Sequence, residues 1–258
     1  MKNLETVRTE VRENSLIIYL SREERMNAFT LTMQQEIVKV LDDAEENDDI
    51  KAIIFTGDGK AYCAGADLSS GGDTFDNRKG RERTNDVVRD SGGLLTLRLF
   101  KCKKPLIAAV NGVAMGGGFE IALACDLIVA AENAVFSLPE PRVGLAALGG
   151  GIHRLPREIG IKKAMGMLLT GRRVSAQEGK DLGFVNQVSR KNSVLDTAKD
   201  WAGLILECAP LSVRASKEAA MLGMNASGIE DAIKSRYKQV QLMQKSSDFV
   251  EGLSLIHI

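Results

Sequence analysis

The chain has 258 residues, 44% of them hydrophobic, enough to bury one large α/β core or a core with a small appendage. Basic and acidic side chains balance at 34 each, so no net field favours nucleic acid or an anionic membrane surface.

Taken in chain order, the N-terminal MKNLETVRTEV has neither an apolar signal region nor an Arg/Ser-rich amphipathic leader. No uninterrupted apolar stretch reaches bilayer length. A cytoplasmic protein is the expectation. SLIIYL reads as a strand, and the loop after it carries Arg22, Glu23, Glu24 and Arg25. A helix follows, with Ile37, Val40, Leu41 and Ala44 on one face and Thr32 with Gln35 as a capping box. KAIIFTG, PLIAAVNG and CDLIVAAE are short continuous apolar runs, the mark of strands buried on both faces. Between the first two lies residues 69–86, polar and Gly-rich, which reads as a solvated loop able to double as a flap over a site. LTLRLF reads as the end of a helical segment that starts near Arg83. Beyond Gly171 the pattern turns helical: Ser175 with Glu178 caps one helix, Gly183 stops it, and further helices are predicted over 196–207, 211–221 and 229–245. Strands alternating with helices define an open α/β core over residues 1–190, with a helical portion over 191–258. No fixed-period repeat is evident.

Cys63, Cys102, Cys125 and Cys208 form no CxxC pair and have no histidine cluster beside them. That argues against a metal site and for free thiols in a reducing compartment, the last three packed as small hydrophobes. No segment matches a Walker loop, and GGGFEI and GGGIHR both fail the dinucleotide fingerprint. What remains is a pair of strand–glycine–helix junctions, IIFTGDGKAYCAGADL and LIAAVNGVAMGGGFE. Each leaves backbone N–H groups free near a helix start, and small residues let a ligand approach them. Two such groups converging on one point make an oxyanion hole.

The chain resembles the enoyl-CoA hydratase/isomerase (crotonase) superfamily. The resemblance rests on REERMNAFT, KAYCAGADL, KKPLIAAVNGVAMGGGFEIALACDLIVAAENAVFSLPE, GGGIHRLPREIG and LTGRRVSAQEGKDLGFVN, in the family's order and spacing over most of residues 16–188. It implies a spiral of β-β-α units assembled as a trimer or a dimer of trimers, and an acyl-CoA thioester substrate. No cofactor is expected, coenzyme A being part of that substrate, and neither nucleic acid nor membrane is an expected partner. By motif match, the N–H groups of Ala66 and Gly117 form the oxyanion hole. Ala64, Ala66, Asp67 and Leu68 line the coenzyme A arm.

Glu120 and Glu140 stand where the family's hydratases carry their paired catalytic glutamates. Water adds at the β-carbon of a 2-enoyl thioester and a proton arrives at the α-carbon, and two carboxyl groups in different surroundings divide those tasks. The resemblance makes Glu140 the proton donor and gives Glu120 the holding and activation of water. Arg25 and Lys60 are candidates for coenzyme A phosphates, against an equal expectation that they are simply solvated. His153 is read at a helix start beside the site without a role.

Three departures stand out. Many hydratases run Gly-x-x-Pro-Gly-x-Gly-Gly after the second glutamate, and the glycine after that proline helps position the water. Here Ala147 and Leu148 occupy the Pro-Gly places. Leu148 is expected to offer its backbone N–H still, to be strained if positive φ is needed, and to narrow an acyl pocket. Glu23 replaces a proline common in the early loop. The ending LSLIHI, with His257, differs from the family's Ala-Phe-x-Glu-Lys-Arg and suggests a truncated or non-native end. The reading is therefore a 2-enoyl-CoA hydratase. The alternatives are Δ3-Δ2 enoyl-CoA isomerisation or a specialised dehydration of the carnitinyl-CoA type. A scaffold or RNA-binding relative is disfavoured by the zero net charge and the intact glutamates.

Overall fold

The computed structural model describes residues 4–69, 71, 91–247 and 249. Its elements run β1 (Val7–Arg12), β2 (Ser15–Leu20), α1 (Leu31–Glu46), β3 (Ala52–Gly57), β4 (Ala61–Cys63), α2 (Ser91–Phe100), β5 (Leu106–Val110), β6 (Val113–Met115) and α3 (Gly117–Leu123). There follow β7 (Leu127–Ala131), β8 (Val135–Ser137), α4 (Gly151–Ile159), α5 (Ile161–Leu168), β9 (Val174–Ser175), α6 (Ala176–Leu182) and β10 (Gln187–Ser189). Four helices close the described chain: α7 (Val194–Leu206), α8 (Pro210–Gly223), α9 (Ile229–Lys234) and α10 (Lys238–Gln244).

The expected α/β spiral is present. One sheet has the order β1-β2-β3-β5-β7-β10, parallel except for the β1–β2 hairpin. A second has the order β4-β6-β8-β9. Each turn of the spiral places a long strand in the first sheet (β3, β5, β7), a short one in the second (β4, β6, β8), and then a helix.

The continuous apolar runs are explained by two cores. Leu16, Ile18, Leu20, Ile53 and Phe55 face one cluster, while Ile17, Ala52 and Ile54 face the other. The side-chain alternation of a strand thus buries both faces. The second cluster is closed by Val194, Ala198 and Ala202, spaced four residues apart along α7. The predicted cap of α6 is present: Ser175 Oγ accepts from Glu178 N–H, and Gly183 ends the helix with φ +109°.

Several expectations are corrected. The cap of α1 is Thr30, whose Oγ1 accepts from Met33 N–H at 3.2 Å, and Thr32 lies inside the first turn. Phe29 is held in a parallel bridge to Ala66, so the chain stays extended up to Thr30 and the helix begins directly after it. The helix predicted over 229–245 is two, because the chain is extended at Ser235 (ψ 150°) and Ser235 Oγ donates back to Asp231 O. Residues 67–69 after Ala66 are not helical, so the first glycine junction is strand-to-loop. Of the thiols expected to be packed, Cys102 is buried but Cys208 is exposed. Residues 70 and 72–86 of the loop read as a flap, residues 83–90 of the helical segment read as starting near Arg83, and the ending with His257 lie outside the described residues.

Candidate active site

The two glycine junctions meet. β4 delivers Ala64, whose N–H donates to Met26 O at 3.0 Å, and then Gly65 with φ +98°. A Cβ on Gly65 would lie 2.9 Å from Met115 O and 3.7 Å from the Gly117 nitrogen. The loop at Ala66 and the start of α3 are therefore in direct apposition. No described residue accepts a hydrogen bond from the N–H of Ala66 or of Gly117. Two unengaged donors side by side can polarise one carbonyl oxygen.

The three consecutive glycines answer to three different neighbours. Gly116, φ +50°, faces the Glu140 carboxylate, and a Cβ there would lie 2.9 Å from Oε1. At Gly117 the neighbour is the ring of Phe29, whose Cζ would lie 2.6 Å from a Cβ. Gly118 packs on β4, with Cβ of Cys63 at 2.8 Å. A side chain at any of them collides with a part of the site or its floor.

Glu120 sits one helical turn into α3 and is 5% exposed. Its Oε1 accepts from Gly151 N–H at 2.9 Å at the start of α4. Gly149 closes on the other oxygen: a Cβ there would overlap Oε2 and lie 2.9 Å from Cδ. The loop at Gly149 is pinned in turn by Thr96 of α2, whose hydroxyl donates to Gly149 O, and by Arg154, which donates to Thr96 O at 3.1 Å.

Glu140 opens a 3-10 turn (Glu140–Val143), reached from β8 through Leu138 and Pro139. Burial pushes its carboxyl above the usual carboxylate range, opposed only by a hydrogen bond from its own backbone N–H. Its Oε2 is buried without a hydrogen-bond partner among the described residues. A half-buried carboxyl that favours its protonated form can deliver a proton to a group placed against it. Gly116 links the two acids, since its carbonyl accepts from Glu120 N–H at 3.0 Å while its Cα faces Glu140.

Other expected residues are placed with mixed results. Asp67 is bound up in the scaffold: Ser69 N–H and the Arg22 guanidinium, 2.8 Å away, hold its carboxyl down to about 2. Leu68 is exposed. Arg25 is exposed on the 3-10 turn Glu23–Arg25, one residue before the Met26 that anchors Ala64, and pairs with no described acid. Lys60 and His153 are exposed, and His153 is the third residue of α4, as expected. Cys63 is fully buried and its thiol is pushed up to about 12 by desolvation. Leu148 departs from expectation. Its φ is not positive, so the backbone is unstrained, and its N–H donates to Ala146 O at 2.8 Å in a tight turn. The N–H expected to be on offer is spent within the loop. Among the described residues no cluster of three or more histidine, cysteine or acidic residues could hold a metal ion.

Sequence reasoning missed Phe29, Asn27 and the Gly149–Gly151 strap. Asn27 is fully buried, donates to Asp58 O and Ala61 O at 2.8 Å each, and accepts from Arg22 N–H. The signal available was an asparagine between a charged loop and a helix cap, and a second GGG run after the second glutamate.

Residues 10–255 match the family model described as Enoyl-CoA hydratase/isomerase. The chain belongs to that family. It is 36% identical to a short-chain-enoyl-CoA hydratase of Clostridium acetobutylicum, over 81% of this chain and 78% of that protein. It is 37% identical to a carnitinyl-CoA dehydratase of Proteus mirabilis, over 75% of this chain and 72% of that protein. Its fold superposes on the crystal structure of an enoyl-CoA hydratase from Bacillus anthracis with a TM-score of 0.86 at 31% identity, covering 98% of this chain and 96% of that one. No described helix is long and apolar enough to cross a membrane.

Proposed function

We propose that this protein is a 2-enoyl-CoA hydratase. The observation that carries the reading is the desolvated Glu140 carboxyl, whose buried Oε2 has no partner among the described residues, set against Gly116 beside two N–H donors that no described residue engages. The thioester oxygen accepts from Ala66 N–H and Gly117 N–H. Glu120, steadied by Gly151 N–H, takes a proton from water as its oxygen bonds to the β-carbon. The C=C electron pair moves through the α-carbon toward the thioester oxygen, where the two donors stabilise it. Glu140 then gives its proton to the α-carbon, and the proton held by Glu120 restores Glu140 through solvent. The net change is one water added, or removed in reverse, and the scheme draws on no cofactor beyond the coenzyme A of the substrate. Loss of one such donor typically costs about 3 kcal/mol of barrier.

The test is hydration of crotonyl-CoA by the wild type, Glu140→Gln and Glu120→Gln. Loss of activity in both variants is expected, and full activity in either removes that residue from the scheme.

A second reading has its own support. With the Leu148 N–H engaged by Ala146, that position has no donor left for a water. This favours Δ3-Δ2 isomerisation, which moves a proton and no water; dehydration of the kind named for the Proteus mirabilis relative uses the same water place as hydration and gains nothing from it. Incubation with 3-enoyl-CoA and 2-enoyl-CoA separates the two, since bond migration without water addition displaces the hydratase. We further propose a cytoplasmic trimer or dimer of trimers. The exposed Ile161, Met165 and Leu169, spaced four residues apart along and just past α5, support an oligomer. Light scattering that returns the mass of one 27.9 kDa chain overturns this.

A further inference from the structure

We propose that Phe29 is the positioning residue that holds the Ala66 and Gly117 N–H groups in register. The proposal rests on the reading of those groups as the pair that grips the thioester carbonyl. Phe29 touches both. On one side its backbone brackets Ala66: Phe29 N–H donates to Gly65 O at 2.9 Å, and Asp67 N–H donates to Phe29 O at 3.0 Å. In a parallel bridge of this kind the bracketed residue turns its own N–H away from its partner strand. That leaves the Ala66 donor aimed out of the pairing. On the other side the Phe29 ring lies against the Cα of Gly117, close enough that a methyl there would overlap it.

Phe29 is itself held from both ends. Two residues before it, the buried Asn27 amide grips the carbonyls of Asp58 and Ala61 around the β3–β4 turn. Directly after it, Thr30 caps α1. Phe29 is 7% exposed, so the ring has no room to swing aside. A shift of the ring changes the distance between two donors that arrive on different turns of the spiral. A role confined to core filling predicts lost stability and an unchanged carbonyl grip. The positioning role predicts a changed grip.

The experiment reads the grip directly. Butyryl-CoA carrying a 13C label at the thioester carbonyl binds without reacting, and isotope-edited infrared difference spectra report its stretching frequency. In the wild type the bound stretch falls below the free value. In Phe29→Ala the lowering shrinks to half or less, with Kd within about threefold of wild type, and crotonyl-CoA kcat falls on the order of 10²-fold while KM holds. Phe29→Leu keeps the apolar bulk, ends short of Gly117 and loses the same part of the lowering, which serves if the alanine variant does not fold. Gly117→Ala alone abolishes the lowering, and adding Phe29→Ala restores part of it by making room for the methyl. Wild-type lowering in either folded Phe29 variant overturns the proposal. No lowering in the wild type overturns the carbonyl reading and the proposal with it. Lowering without hydration supports Phe29 and removes only the hydratase.

Discussion

Gly149→Ala separates activity from stability. Gly149 is buried, and its φ is not in the left-handed region, so alanine suits its backbone. The new methyl would lie 2.9 Å from Cδ of Glu120 and closer still to Oε2, whereas ordinary contact begins near 3.4 Å. The obstacle is the far end of a flexible side chain, so the carboxylate yields rather than the fold. It must retreat by about 1 Å, which is enough to cost on the order of 10²-fold in rate when a reacting group is displaced. A factor of that size is about 2.7 kcal/mol of barrier. The same displacement disturbs the 2.9 Å bond from Gly151 N–H. Stability should move little, since the lower chain entropy of unfolded alanine offers about 0.4–1 kcal/mol against the local strain. The assay pairs crotonyl-CoA kcat and KM with Tm and with Kd for butyryl-CoA. The expected outcome is a collapsed kcat, a Tm within a few degrees and a near-normal Kd. A wild-type kcat in a folded variant refutes the reasoning, because Glu120 would then have tolerated displacement from its place.

The raised pKa of Glu140 means the folded protein holds that proton more tightly than the unfolded chain does. Its contribution is therefore fully present below the ordinary glutamate pKa and is lost as pH rises through the raised one, so Glu140→Gln should gain Tm relative to wild type as pH rises above the ordinary glutamate range; a constant difference refutes it. Asp67 works in the opposite sense: its lowered pKa contributes stability that is fully present at neutral pH and fades as pH falls toward about 2. Arg22→Ala should cost about 1 kcal/mol at pH 7 and raise KM for the acyl-CoA, by loosening the loop at Ala66, as read by denaturant titration and kinetics. Under native thiol labelling followed by peptide mass analysis, Cys208 should react and the fully buried Cys63 should not; rapid labelling of Cys63 refutes its burial.

The long strands were legible because burial on both faces leaves an unbroken apolar run, as in Ala52–Gly57 and Leu106–Val110. Ser175 and Gly183 were legible because caps are set by neighbours three or four residues away. The short strands β4, β6 and β8 were not, since three residues carry no period of their own and are strands only through pairing in the second sheet. That also hid the repeat: β3, β5 and β7 begin at residues 52, 106 and 127, and connections of such different length mask a spatial recurrence. At the site, the glycine run announced that something approaches the backbone but not what. Glu140, Phe29 and Cys63 reach Gly116, Gly117 and Gly118 from three remote segments. Leu148 was misread for a similar reason: a two-residue turn to Ala146 consumes its N–H, and nothing in AALGGG signals it.

The bridge between Phe29 and Ala66 also bears on how the protein acquires its activity after synthesis or dilution from denaturant. The donor pair is not the property of any one turn of the spiral; it comes into being when a segment near residue 29 docks onto turns that carry residues 66 and 117. Contacts of that sequence separation close slowly, after local helices and hairpins have formed. A refolding chain can therefore regain its helical circular dichroism before those two N–H groups come together and, on the function proposed above, recovery of turnover should trail recovery of secondary structure.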